Sequence, residues 1–221
     1  MIGSEFYQVK VKNGAGWRQY NNCRLQISVG QPYHEGQKLL ATLDWVDERF
    51  DKKIICVNDT LQRHNFEFQG HSPEEAFRLS QEAGREWIEQ NYAAIRSLDN
   101  LEIIRWEKWR REDAYEHGLD TMKRLYREKE TFREEVDNEM KSFWQRALKK
   151  DPDLDPSLFD TFKKHSLSYL LEECAVFQLM FAREDAVDIY PGSTLLPCKL
   201  GPSQNLGVRG YTRIDFRRKA S

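Results

Sequence analysis

CRLQIS at residues 23–28, with KIICVN at 53–58 and LEIIRW at 101–106, decides the fold. Each run is short and reads as a strand, CRLQIS because polar residues bound it and KIICVN as a buried one. The intervening segments change period. Leu39, Leu40, Leu43, Val46 and Phe50 recur at helical spacing within 34–50. Residues 59–71 read as a polar loop with room for one helical turn. SPEE at 72–75 places Ser72 at an N-cap, Pro73 at the first helical position and Glu75 three residues on, which predicts a helix from there to about residue 95. The charged stretch 107–149 carries many acid–base pairs at helical spacing and reads as a pair of solvated helices. Residues 151–156 break the helix, 157–181 form another, 187–190 form a strand stopped by Pro191, and 206–216 hold one more strand. Strands alternating with helices give an α/β fold, a parallel sheet covered by helices. Ligands in such folds sit at the carboxyl ends of strands, here just after Ser28, Asn58, Trp106 and Tyr190.

A chain of 221 residues fits one domain, taken as residues 1–221, and can bury a core without metals or disulfides. The formal net charge of -2 argues against nucleic-acid binding by bulk charge but leaves room for a local basic patch. Cys23, Cys56, Cys174 and Cys198 are far apart and show no zinc spacing, so they read as reduced core thiols in a cytoplasmic protein. No apolar run approaches the ~20 residues of a membrane span, and no signal-peptide pattern opens the chain. Glycine-rich dinucleotide and P-loop signatures, the GxSxG elbow and HExxH are all missing, so no cofactor and no metal is expected. The sequence shows no coiled-coil seam or long apolar stripe, which favours a monomer.

Three segments carry chemistry. In ISVGQPY (27–33), Ser28 stands at a strand end before a glycine-containing loop, where a hydroxyl is exposed and the N–H groups of Val29 and Gly30 can face an oxyanion. In SYLLEE (168–173), Tyr169 and Glu173 are four apart and share one helix face; His165 extends that face by a turn and reads as structural. In DIYPG (188–192), Tyr190 ends a strand. Taken singly, each has an ordinary reading as a turn residue, a surface pair or a packed tyrosine.

Taken together, in this order and at these separations, the three segments resemble the cyclodipeptide synthases, over about residues 24–197. LDWVDERF (43–50), Asp59-Thr60 and HSPEEAF (71–77) add local agreement. Gln31 stands where the family commonly has Asn. With Pro191 directly after Tyr190, the chain resembles the branch that has Tyr-Pro at this point. The resemblance implies a Rossmann-like fold similar to the catalytic domain of class I tyrosyl- and tryptophanyl-tRNA synthetases, without their ATP-binding signatures. It also implies a catalytic set of Ser28, Tyr169, Glu173 and Tyr190. Ser28 would take an aminoacyl group from one aminoacyl-tRNA, Tyr169 and Glu173 would hold its α-amino group, and a second aminoacyl-tRNA would give a dipeptidyl-enzyme that cyclises to a diketopiperazine. Gly30, Gln31 and Cys56 fall among the implied substrate-binding positions.

Period-two alternation puts Arg24 and Gln26 on the same strand face as Ser28. Relatives have small or apolar residues there, so this chain departs from the pattern. An arginine suits a carboxylate, which leads to the expectation of glutamate or glutamine in the product, unless Arg24 sits outside the pocket. Lys108, Arg110, Arg111, Lys123, Arg124 and Arg127 are the candidate tRNA contacts, with a tail group of Arg213, Arg217, Arg218 and Lys219. Two rival readings stay open: a noncatalytic tRNA-binding domain, and a serine acyltransferase or hydrolase that does not use tRNA.

Overall fold

The computed structural model describes residues 3–12, 16–183, 185–192, 195–197, 200 and 210–219. Six strands, β1 (Tyr7–Val11), β2 (Asn22–Ile27), β3 (Lys52–Val57), β4 (Leu101–Arg105), β5 (Val187–Pro191) and β6 (Tyr211–Arg218), form one sheet in the order β1-β6-β5-β2-β3-β4. The pairings from β6 through β4 are parallel, and β1 closes the β6 edge antiparallel. β2 pairs with β3 over its whole length and with β5 from Cys23 to Leu25, so it is flanked on both sides. The α/β expectation with a parallel sheet holds. The antiparallel β1 is an addition, and β6 starts later than the predicted strand, whose residues 206–209 lie outside the described residues.

The helices are α1 (Gly36–Asp47), α2 (Arg63–Phe68), α3 (Pro73–Ile95), α4 (Trp106–Arg110), α5 (Tyr115–Glu128), α6 (Glu130–Lys150) and α7 (Phe159–Ala182). α3 starts as its sequence dictates: Ser72 Oγ accepts the Glu75 N–H at 3.2 Å, satisfying one of the amides a helix start leaves open. The Glu75 carboxylate turns instead to His71 at 3.2 Å, so the capping box is half formed. The charged stretch after β4 is corrected from two helices to three. α5 and α6 are parted at Lys129, whose extended backbone (φ -109, ψ 107) interrupts the helix without a glycine or proline.

Helices cover both sides of the sheet. On one side Leu25, Ile27, Ile55, Val57, Val187 and Ile189 pack under Leu39, Leu43 and Val46 of α1 and Trp87 and Ile95 of α3. On the other, Ile54 and Cys56 meet Val176, Phe177 and Met180 of α7, with Trp106 and Trp109 alongside. A third cluster (Met122, Phe132, Val136, Met140, Leu170 and Cys174) binds α5 and α6 to α7. Each large side chain buried this way stabilises the fold by about 1.5–3 kcal/mol before entropy is counted. Cys23, Cys56 and Cys174 are buried free thiols, and Cys198 lies outside the described residues. No helix among the described residues is long and apolar enough to cross a membrane.

Candidate active site

β2 ends at Ile27, and Ser28 is the first residue beyond it. The chain then turns. Gly30 takes a left-handed backbone (φ 80) that a side chain would strain, and the Gln31 N–H donates to the Ser28 carbonyl at 3.2 Å. One 3-10 turn, Pro32–His34, follows. The carbonyl of its last residue, His34, accepts the indole N–H of Trp87 on α3 at 3.1 Å. The loop after the strand is therefore pinned at its far end as well.

This loop walls a cavity of about 780 Å³. Ser28, Gly30, Gln31 and Tyr33 line it from the loop, Tyr169 and Glu173 from α7, Tyr190 from β5, and Phe143, Arg146 and Lys150 from α6. Its size lies in the range of about 300–1,000 Å³ usual for small-ligand sites. The four expected catalytic residues are thus brought to one space from three separate segments. Ser28 Oγ and the Tyr190 hydroxyl share a hydrogen bond of 3.1 Å, and the Tyr190 and Tyr33 hydroxyls share another of 2.8 Å.

The three phenols of the cavity are held in the protonated form. Burial pushes Tyr190 up, and the neighbouring Tyr33 adds to this. Burial and then the Glu173 charge raise Tyr169 well above the usual phenol range. Tyr33 is raised by burial, although its bond to Tyr190 and the Arg146 charge oppose the shift. Near neutral pH these groups therefore act as hydrogen-bond donors and acceptors rather than as phenolate bases. His34, packed beside Tyr33 and Tyr190, is wholly buried, and burial lowers its pKa to about 3. It stays neutral.

Glu173 is placed by its neighbour. Glu172 is buried in a nest of donors: Arg63 through both nitrogens, His64 Nε2 at 3.3 Å and the Trp106 indole N–H at 2.8 Å, with Arg110 Nε at 3.7 Å. Burial alone would raise this carboxyl, but the hydrogen bonds from His64 and Arg63 and the Arg63 charge outweigh it and hold it far below its usual range. Consecutive helical residues project about 100° apart. Anchoring Glu172 toward α2 and α4 therefore turns Glu173 to the cavity. His165 Nδ1 lies 3.2 Å from Glu67 of α2 and helps join α2 to α7, away from the cavity wall.

The expected substrate-binding set divides. Gly30 and Gln31 line the cavity; Arg24, Gln26 and Cys56 do not. The Arg24 guanidinium is buried and already saturated. It donates through Nε and Nη2 to the Asp188 carboxylate, both at 3.0 Å, through Nη1 to Asp185 at 2.9 Å, and through Nη2 to the Met180 carbonyl at 2.8 Å. The expectation that it meets a substrate carboxylate is corrected, since the protein supplies that carboxylate itself. Gln26 donates to Asp188 at 2.8 Å, and its Oε1 has no partner among the described residues. Cys56 packs in the core under α7, where burial keeps it a thiol.

Of the candidate tRNA contacts, Arg110 is engaged with Glu107 at 2.7 Å, Lys108 with Glu102 at 3.2 Å and Lys123 with Asp120 at 3.2 Å. Arg111, Arg124 and Arg127 are exposed. Lys108 and Arg111, with Arg105, Glu107 and Gln81, border a second, open cleft beside α4. In the tail, Lys219 Nζ donates to the Ser4 carbonyl at 2.6 Å, beside β1, and Arg213 of β6 donates to the Gly192 carbonyl just past β5. Among the described residues no cluster of three or more His, Cys, Asp or Glu forms a metal site.

Sequence reasoning missed Tyr33, Glu172 and Asp188. The doubled glutamate of SYLLEE was the one visible sign of Glu172, and the tyrosine two residues past Gln31 the one sign of Tyr33. Nothing local marks Asp188 as the partner of Arg24.

The sheet and its cleft define an α/β protein in which a serine hydroxyl among phenols stands at the end of a parallel strand. Residues 17–178 match the family model for cyclodipeptide synthase, and the chain belongs to that family. Its structure is similar to that of a cyclodipeptide synthase from Fluoribacter dumoffii, with a TM-score of 0.85 at 23% identity over 96% of this chain and 99% of the other. A cyclodipeptide synthase from Candidatus Glomeribacter gigasporarum, solved bound to Phe-tRNAPhe, superposes with a TM-score of 0.71 at 17% identity, covering 90% of this chain and 88% of that one. Tyrosyl-tRNA synthetase from Aeropyrum pernix shares the fold, with a TM-score of 0.51 at 14% identity over 89% of this chain and 52% of that chain. No curated protein sequence matches the chain significantly.

Proposed function

We propose that the protein joins two aminoacyl groups, each delivered by an aminoacyl-tRNA, into a cyclic dipeptide through an ester on Ser28. The observation that carries this reading is the Ser28–Tyr190 hydrogen bond of 3.1 Å inside a cavity that Tyr169 and Glu173 also line. An aminoacyl ester is already activated, so the reaction needs positioning and proton transfer rather than a nucleotide step. Ser28 Oγ attacks the ester carbonyl, and the tRNA leaves with its ribose oxygen. Tyr169 and Glu173 hold the α-ammonium, where a carboxylate offsets its charge. The amine of that Ser28 ester then attacks the ester carbonyl of the second aminoacyl-tRNA, whose ribose oxygen leaves with the proton that the amine loses, and the product is a dipeptidyl ester on Ser28. The free amine of that ester then closes the ring on the Ser28 carbonyl, and Glu173 relays the proton. Covalent capture makes closure intramolecular, where high effective molarity favours it.

The reading takes residues 1–221 as one catalytic unit acting as a monomer, in the branch with Tyr-Pro at 190–191. The exposed cations Arg111, Arg124 and Arg127 are its candidate phosphate contacts, with Lys108 and Lys123. Glutamate or glutamine in the product no longer rests on Arg24, which Asp188 occupies. Among the described residues the cations lining the cavity are Lys150 and Arg146, the latter 3.5 Å from Glu139, which lines it too.

Incubation with a mixture of aminoacyl-tRNAs, followed by mass spectrometry, should yield a diketopiperazine. Ser28→Ala should yield none and should take no label from radioactive aminoacyl-tRNA. Label retained by Ser28→Ala would refute the seryl ester. Tight tRNA binding with neither label nor product in the unaltered protein would favour a noncatalytic tRNA-binding domain.

A further inference from the structure

Tyr190 is not the end of the hydroxyl series that begins at Ser28. Its oxygen lies 3.1 Å from Ser28 Oγ and 2.8 Å from the Tyr33 hydroxyl, so it bridges the two. Each of these hydroxyls carries one proton, so the series has a direction. When Tyr33 donates to Tyr190, Tyr190 donates to Ser28 and occupies a lone pair of the nucleophile. When the order reverses, Ser28 donates to Tyr190, Tyr190 donates to Tyr33, and the Ser28 lone pairs are free to attack. The second order needs an acceptor beyond Tyr190, and Tyr33 is placed to be it.

Tyr33 is held for this purpose from several sides. Its ring meets Tyr190 edge-on with centroids 5.8 Å apart, and His34 packs against both rings. The His34 carbonyl is tied to Trp87, which fixes the short turn that carries Tyr33. His34 Nε2 is buried without a partner among the described residues, and burial keeps the imidazole neutral, so it packs as a wedge beside the series. Tyr33 lines the cavity, as does Arg146.

We propose that Tyr33 is a positioning residue for the nucleophile: by accepting from Tyr190 it orients the Ser28 proton away from the attacking lone pair. This rests on the reading that Ser28 is acylated. In that step the bond from Ser28 Oγ to the ester carbonyl carbon forms and the bond from that carbon to the ribose oxygen breaks. The proton lost by Ser28 is balanced by the one the departing ribose oxygen gains. Donation from Tyr190 to Tyr33 raises electron density on the Tyr190 oxygen and strengthens its hold on the Ser28 proton, as hydrogen bonds in series polarise one another.

Tyr33→Phe removes the hydroxyl and keeps the ring. Single-turnover labelling of Ser28 by radioactive aminoacyl-tRNA at saturation should slow about ten- to a hundredfold, below most of the roughly 10²–10⁴-fold that a direct proton-transfer group contributes, because Tyr33 acts through Tyr190. The Kd for aminoacyl-tRNA and the melting temperature should stay unchanged. Tyr33→Leu, which also removes the ring, serves as the packing control. Wild-type labelling by Tyr33→Phe with a defect in Tyr33→Leu would reduce Tyr33 to a packing residue and overturn the proposal. A Tyr33→Phe defect that tracks a lowered melting temperature would overturn it too. Ser28→Ala is run in parallel. If it still takes label, the seryl ester fails; if it takes none while Tyr33→Phe labels normally, only the role of Tyr33 fails.

Discussion

On one face of β2, Cys23, Leu25 and Ile27 meet the apolar cluster under α1. On the other face, Arg24 and Gln26 meet Asp188 and Met180 through a guanidinium and an amide, and Ser28, just past the strand, meets Tyr190 through a hydroxyl. Within the strand both faces are buried, with only Ser28 beyond it partly exposed, and the same backbone carries them. They differ in what holds them. The apolar face needs only volume, and its residues tolerate exchange of like size. The polar face needs partners: Arg24 is buried among one full carboxylate, a second carboxylate and three backbone carbonyls, and each lost partner leaves a charge in low dielectric. The polar face therefore depends on a specific network just behind the cavity.

The comparison breaks most visibly at Asp188. Asp188→Ala strands the Arg24 guanidinium and should destabilise the protein by about 3–5 kcal/mol in denaturant unfolding. The paired change Arg24→Met with Asp188→Leu, which makes the polar face resemble the apolar one, should recover most of that loss. If the pair is as unstable as Asp188→Ala alone, volume and not charge governs the site.

A second difference is sensitivity to acid. An unfolded histidine takes up its proton near pH 6.5, whereas folded His34 resists until about pH 3. The unfolded state thus binds the extra proton in this window. Stability is complete above about 6.5 and drains as pH falls toward 3, at up to about 1.4 kcal/mol per pH unit. His34→Leu should flatten the stability curve over that window, measured by urea unfolding at successive pH values. The smallest effect is expected on the apolar side, where α3 contributes Trp87 and Ile95 and starts at a solvent-exposed cap. Ser72→Ala should cost about 1 kcal/mol and leave acylation of Ser28 untouched.

The same contrast explains what could be read from the sequence. β2, β3 and β4 were legible because apolar runs bounded by polar residues report burial directly, and α3 because Ser72 and Pro73 mark its start. β1 was not read: at the sheet edge its exposed positions carry Gln8 and Lys10, which break the apolar run. The parting of α5 from α6 at Lys129 was missed because no glycine or proline announces it. Ser28, Tyr169, Glu173 and Tyr190 could be named by type and order, whereas Tyr33 and the α6 residues Phe143, Arg146 and Lys150 of the same lining could not. The placement of Arg24 could not, because its carboxylate partner is 164 positions away and only the β2–β5 pairing brings the two together. Alternation correctly put Arg24 on the Ser28 face; it says nothing about what fills the space above that face.

Glu172 gives α7 the character of a keyed shaft. Four side chains from α2 and α4 grip one carboxylate, so the helix cannot turn about its axis without releasing all of them at once. The bearing of Glu173 is locked by that grip, so anything that enters the cavity meets a stationary carboxylate.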